Sequence, residues 1–338
     1  MRYYRGIDFN FKRSKGENIV DKAKNNHVTA EFVKLLPVFV SLLLAVGMTA
    51  VAEITGEKEI IFPEITAIAI GALAAPVQSW NTSRIRLFAA IVPAAFVGIA
   101  IVKYLHVPLW VQVTVGLICA VAWITLLRTE FVPAISACVL PILMGTNSIV
   151  YVLSVVVMTA LILAAQLCFE HFGIRQKYDF HEVPPNRKLI IIRAKQTAAA
   201  SIMCFLPTFF GQIFFIAPPL IVAFFELSKP QSKLRKRAVH SVILISSAAV
   251  AGVLSRALLT ELAGFPLALS AAVSCGIILY MVCISKLYFP PCGAIATLPF
   301  LIPKTALLKF PFEVIGGYII MVAVTFIFFA DYSDKANK

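Results

Sequence analysis

Glu64 follows Pro63 and opens an otherwise apolar stretch over 65–75. A carboxylate at membrane depth costs a few kcal/mol unless solvated or paired, and such residues couple protons or bind cations. Two readings stand: a coupling or gating group inside the apolar body, or an interfacial carboxylate beside Glu57 and Glu59 that interacts with its own helix N-terminus. Arg256, after Val253-Leu254-Ser255, is the second such charge. Near the end of an apolar span it either snorkels or lines a pathway for anions.

The remaining candidates are backbone sites. Phe131, Pro133, Leu140, Pro141 and Leu143 fall in register with Phe289, Pro291, Leu298, Pro299 and Leu301, 158 residues on. Proline is rare inside helices because it lacks an amide donor and clashes with the preceding turn. Matched prolines in two apolar segments therefore point to a duplicated membrane unit. Pro63, Pro133, Pro218-Pro219 and Pro290-Pro291 each open a short apolar segment, as proline does at a first helical turn. Helix starts inside a bilayer present free amides with partial positive charge, which suits an anion. The candidate substrate-binding residues are thus Pro133, Ser136, Gly145, Pro290, Pro291, Gly293 and Ala294. In the plainer alternative the prolines merely start short packed helices.

The elements that position these residues follow from composition. The chain has 338 residues, 60% hydrophobic and only 14% charged, with a mean hydropathy of +0.88. Soluble domains are nearer half apolar and a quarter charged. The reading is an all-α membrane protein with about twelve membrane segments in two parallel six-helix repeats, each repeat holding two short proline-initiated segments. Repeat 1 spans 35–168 and repeat 2 spans 196–330. A cytoplasmic basic arm (1–34), a linker (169–195) and a tail (331–338) complete the chain. The net charge is +13, and 25 of the 30 Lys/Arg fall on one side of this topology. Positive residues mark cytoplasmic loops. Both termini are therefore placed in the cytoplasm and the chain in the cell (inner) membrane.

Nothing suggests an enzyme. The seven cysteines have no ligand or disulfide spacing, and the histidines are scattered. No phosphate-binding glycine loop occurs. No cofactor, metal or nucleic acid is expected; the partners are the lipid bilayer and a small anion, and a homo-oligomer is left open.

The run Phe289-Pro290-Pro291-Cys292-Gly293-Ala294-Ile295-Ala296-Thr297-Leu298 resembles the signature of the HPP family of membrane proteins, His-Pro-Pro-Ala-Gly-Ala-Thr-Ala-Leu. Pro290, Pro291, Gly293, Ala294 and Ala296 match; Phe289 replaces the histidine. The stretch 217–230 is similar to the family's proline-initiated helix before a basic loop. The resemblance covers about 196–330, with 35–168 as a diverged copy. It implies a small-anion, nitrite-like transporter or channel, while Phe289 in place of the histidine speaks against proton-linked or His-dependent binding. A second resemblance, to fusaric-acid-resistance exporters, implies export of aromatic or organic acids. A non-transporting membrane scaffold is the third expectation.

Overall fold

The computed structural model describes residues 27–230 and 232–329. The expected tail at 331–338 and residues 1–26 of the expected arm lie outside them. Twelve α-helices, and no strand, form among the described residues. They are α1 (His27–Thr55), α2 (Glu64–Ala69, continued as a π-helix over Ile70–Ala74), α3 (Arg84–Tyr104), α4 (Leu109–Leu126), α5 (Pro133–Met144) and α6 (Ile149–His171). There follow α7 (Arg187–Phe209), α8 (Pro218–Leu227), α9 (Ala238–Ser255, continued as a π-helix over Arg256–Leu262), α10 (Leu267–Ser285), α11 (Pro291–Thr297, continued as a 3-10 turn over Leu298–Phe300) and α12 (Phe310–Phe329). Eight of these, α1, α3, α4, α6, α7, α9, α10 and α12, are long and apolar enough to cross a membrane. They fit a multi-pass membrane protein.

Two expected boundaries move. Helix α1 begins at His27, so part of the expected arm is helical. The expected linker shrinks, because α6 runs to His171 and α7 starts at Arg187. The Asn186 side chain accepts a hydrogen bond from the Leu189 amide at 2.8 Å and caps that earlier start. Within the linker, Glu182 accepts hydrogen bonds from Arg86 and, at 2.9 Å, from Arg128. These bonds hold its carboxyl below the usual carboxylate range.

The four short helices α2, α5, α8 and α11 are nearly wholly buried. They form a closed ring: α2 packs on α5 and α11, and α8 packs on the same two. The long helices surround this ring. Helix α1 leans on α10, and α7 leans on α4. Contacts between helix ends mark two faces of the bundle. At one, here the basic end, Arg84 pairs with Glu170 at 2.5 Å and Arg237 donates to the Ser285 carbonyl at 3.1 Å. At the far end, Glu53 of α1 accepts from the Leu267 and Ala268 amides at 2.8 and 3.2 Å, where α10 begins.

Glycine permits the closest helix approaches. A Cβ on Gly98 of α3 would stand 2.3 Å from the Cys138 carbonyl oxygen and 2.7 Å from Pro141 of α5. A Cβ on Gly252 of α9 would stand 2.7 Å from the Ala296 carbonyl oxygen and 2.8 Å from Pro299 beyond α11. Each proline lies three residues after the crowded carbonyl. Backbone cannot yield as a flexible side chain does, so Gly98→Ala and Gly252→Ala should each cost about 3 kcal/mol. Gly47, with nothing within 4 Å of its added Cβ, should tolerate alanine or gain up to about 1 kcal/mol. Reversible unfolding in mild detergent measures all three; equal stability for Gly98→Ala and Gly47→Ala would contradict this packing.

Candidate functional site

Glu64 lies in the first turn of α2 and is 2% exposed. Its Oε1 accepts a hydrogen bond from Ser136 Oγ on α5. Of the helix-start amides expected to meet it in the interfacial alternative, the carboxyl takes only its own Glu64 N–H. The Ile65 and Thr66 amides bond instead to the Phe62 and Pro63 carbonyls at 3.0 and 3.2 Å, and the carboxyl is sealed from solvent. Around it stand Phe62 and Tyr151, edge to face at 5.8 Å. The Tyr151 hydroxyl donates to the Ala137 carbonyl at 2.8 Å.

The opposite side of α2 meets α11. Thr66 and Thr297 hydroxyls are 2.9 Å apart. A Cβ on Gly293 would stand 2.6 Å from Ile70 and 3.0 Å from Thr66, and one on Gly71 would stand 3.2 Å from Pro290. Helix α2 thus touches both proline motifs, through Glu64 on one side and through Thr66, Ile70 and Gly71 on the other. Pro133, Ser136, Pro290, Pro291, Gly293 and Ala294 are all buried in the ring. Gly145 is not with them. It is exposed, ends α5 with φ +66°, and stands at the far end of that helix.

The amides expected to be free at the motif helices have partners. Ala134 and Ile135 amides bond to the Phe131 and Val132 carbonyls at 3.3 and 2.9 Å, and Cys292 and Gly293 amides to Phe289 and Pro290 at 3.2 and 3.0 Å. These tight three-residue bonds satisfy each first turn locally.

The opposite ends of the short helices carry a feature that charge counting missed. Arg175 donates to the Leu73 and Ala75 carbonyls at 2.7 and 2.6 Å, where α2 ends. Arg235 donates to Leu227, Phe329 and Lys229 carbonyls at 3.1, 2.6 and 2.6 Å, where α8 ends. Arg256 donates to the carbonyls of Pro299 and, at 2.6 Å, Ile302, just beyond α11. It also pairs with Glu261 at 3.1 Å. The Arg256 guanidinium is therefore engaged in capping, with Glu261 shared to Lys304 at 3.0 Å.

A cavity of about 330 Å³ opens at the basic end between α4, α7 and the end of α8. Its polar lining is Glu130, Arg193, Gln196 and Lys229; Val132, Ile124 and Phe225 are among its apolar walls. Arg193 donates to Thr125 Oγ1 and, at 2.9 Å, to the Thr129 carbonyl. Lys229 lies 2.9 Å from Glu226 and 4.0 Å from Glu130. Gln196 donates to Ser228 Oγ at 2.9 Å. The cavity reaches Val132 but is not lined by Pro133, Ser136, Pro291 or Gly293. Arg193, Gln196 and Lys229 had no distinguishing pattern in sequence beyond lying in a basic linker or loop.

The Arg256 arrangement makes a stability prediction. Arg256→Ala leaves two buried carbonyls and Glu261 short of a donor and should cost about 3 kcal/mol. Arg256→Lys keeps the charge without the forked geometry and should fall between. Unfolding in detergent reads both; unchanged stability in Arg256→Ala would return this residue to a pathway role. Comparison with protein-family models, curated proteins and solved structures finds no match to this chain.

Proposed function

We propose that the chain is a transporter for a small organic anion, which enters through the Arg193–Lys229 cavity at the cytoplasmic face of the inner membrane. The observation that carries this reading is the cavity itself, where two cations and an amide, with the Glu130 carboxylate 4.0 Å from Lys229, stand over largely apolar walls. That combination suits a carboxylate on an aliphatic or aromatic body: charge fixes one end and apolar area holds the other. A nitrite-sized ion has no apolar body to use such walls, and the first-turn amides that would have bound it are already hydrogen-bonded. The organic-acid reading, expected from the exporter resemblance, is therefore preferred over the nitrite-like one.

The same proposal includes two parallel six-helix units, 35–168 and 196–330, with twelve crossings and both termini cytoplasmic. Supporting it, Gly98 meets the 138 carbonyl and Pro141 as Gly252 meets the 296 carbonyl and Pro299; the carbonyls and prolines are 158 residues apart and the glycines 154. The HPP resemblance at Pro290, Pro291, Gly293, Ala294 and Ala296 stays part of this proposal. The tight packing of Gly293 favours a second reading, a non-transporting scaffold, in which the ring is purely structural.

Flux separates these. Proteoliposomes holding the full chain should accumulate benzoate or a short aliphatic carboxylate. Arg193→Gln with Lys229→Gln should cut that uptake at least tenfold, equivalent to the loss of about 1.4 kcal/mol or more of recognition. Uptake of nitrite but no carboxylate would sink the organic-acid reading. No flux of either, from folded protein, would favour the scaffold.

A further inference from the structure

Glu64 carries a chemistry that the cavity does not require. Its carboxyl is 2% exposed. Oε1 has one side-chain donor, Ser136 Oγ, and the carboxyl also meets its own Glu64 amide, while Oε2 is buried without a hydrogen-bond partner. Glu64 enters none of the ion pairs formed among the described residues. An ionised carboxylate with one oxygen unpartnered and no counter-charge is strongly disfavoured away from water. The neutral acid is not: its carbonyl oxygen accepts from Ser136, and only one O–H waits for an acceptor.

The neighbours offer no alternative way to hold a charge there. Tyr151 of α6 faces the carboxyl, but its proton is donated to the Ala137 carbonyl. On α5, the Cys138 thiol turns to the Gly116 carbonyl at 3.6 Å. On α11, the Cys292 thiol bonds the Phe289 carbonyl at 2.8 Å. On α1, Glu53 is spent on the α10 amides. In the turn before α2, Glu59 faces Thr146 at 3.4 Å. Glu57 and Lys58 of that turn are exposed. At the basic end of α6, Glu170 is paired with Arg84, and His171 lies beside Phe172. A bound cation would need several oxygen ligands. The nearest hydroxyl pair, Thr66 and Thr297, is committed to itself and to the Gly293 carbonyl. No cluster of metal-holding side chains occurs among the described residues.

We propose that Glu64 is a proton-binding site at the α2–α5 contact, closed with the carboxyl neutral and discharged when that contact opens to water. Discharge breaks the Oε2–H bond and passes the proton to water; reloading is the reverse, and no bond to a solute is made. The contact is fit to open, because a single side-chain hydrogen bond ties Glu64 to α5 and α2 passes into a π-helix after Ala69. Such bulges occur often at functional sites.

The test is infrared difference spectroscopy of the full chain in liposomes, across mildly acidic to alkaline pH. Wild type should show the carbonyl stretch of a protonated carboxyl at neutral pH, and Glu64→Gln should lose it with the helical amide band intact. Ser136→Ala should keep the band and shift it upward, since its carbonyl loses a donor. Should Glu64→Gln fail to fold, the Ser136→Ala shift alone decides. Two results overturn the proposal: a band that neither substitution alters, or one that sodium removes at fixed pH. No solute enters the measurement, so its outcome is independent of whether the Arg193 cavity carries an organic acid.

Discussion

A helix that stops inside an apolar body leaves carbonyls with no water to bond them, and the rest of this structure is arranged around that constraint. Lipid tolerates irregular backbone only where protein satisfies it. Here the satisfying groups are guanidinium forks: Arg175 at the end of α2, Arg235 at the end of α8 and Arg256 beyond α11. Each sets positive charge against the negative end of a helix dipole while filling orphan acceptors. Helix α5 is the exception. It ends on left-handed Gly145, and the Thr146 amide reaches back to the Pro141 carbonyl at 3.0 Å, which needs no cation.

With their ends closed, the four short helices can be buried on nearly all sides. Burial in turn demands close backbone approach, so Gly71 and Gly293 face α11 and α2, and Gly98 and Gly252 admit the motif carbonyls. Apolar bulk fills what remains. Trp80, 2% exposed, covers Gly71 and meets Phe131 edge to face at 5.3 Å. In this packing the Glu64 carboxyl, in no ion pair among the described residues, is 2% exposed.

Much of this was legible from residue type alone. Helix starts at Pro133, Pro218 and Pro291 came from proline's missing amide, and the shortness of those segments from the spacing of polar residues. Glu64 and Ser136 each attracted notice, yet not as a pair, since 72 residues separate them and only tertiary packing joins α2 to α5. The arginine caps were hidden for a different reason. Arg175 and Arg235 look like ordinary loop charges in sequence, and a sidedness count treats a solvated arginine and a buried one alike. The cavity was invisible because its walls come from α4, α7 and α8, with no local motif among them.

If the chain is a doubled unit, the charges divide it in an informative way. The contacts that recur, glycine against carbonyl and proline, are uncharged and hold the frame. Glu64 stands where the second unit has Pro219 once Pro63 is set on Pro218, and at the 158-residue register Arg256 falls on Gly98. Copying would account for the frame, since a packing solution that works once works again. It cannot account for single-copy charges buried at a cost in solvation. Where a buried arginine caps a helix, stability explains its retention. Glu64 is in none of the ion pairs among the described residues, so its burial is offset only by Ser136 and its own amide, and that imbalance is what the proton-binding proposal addresses.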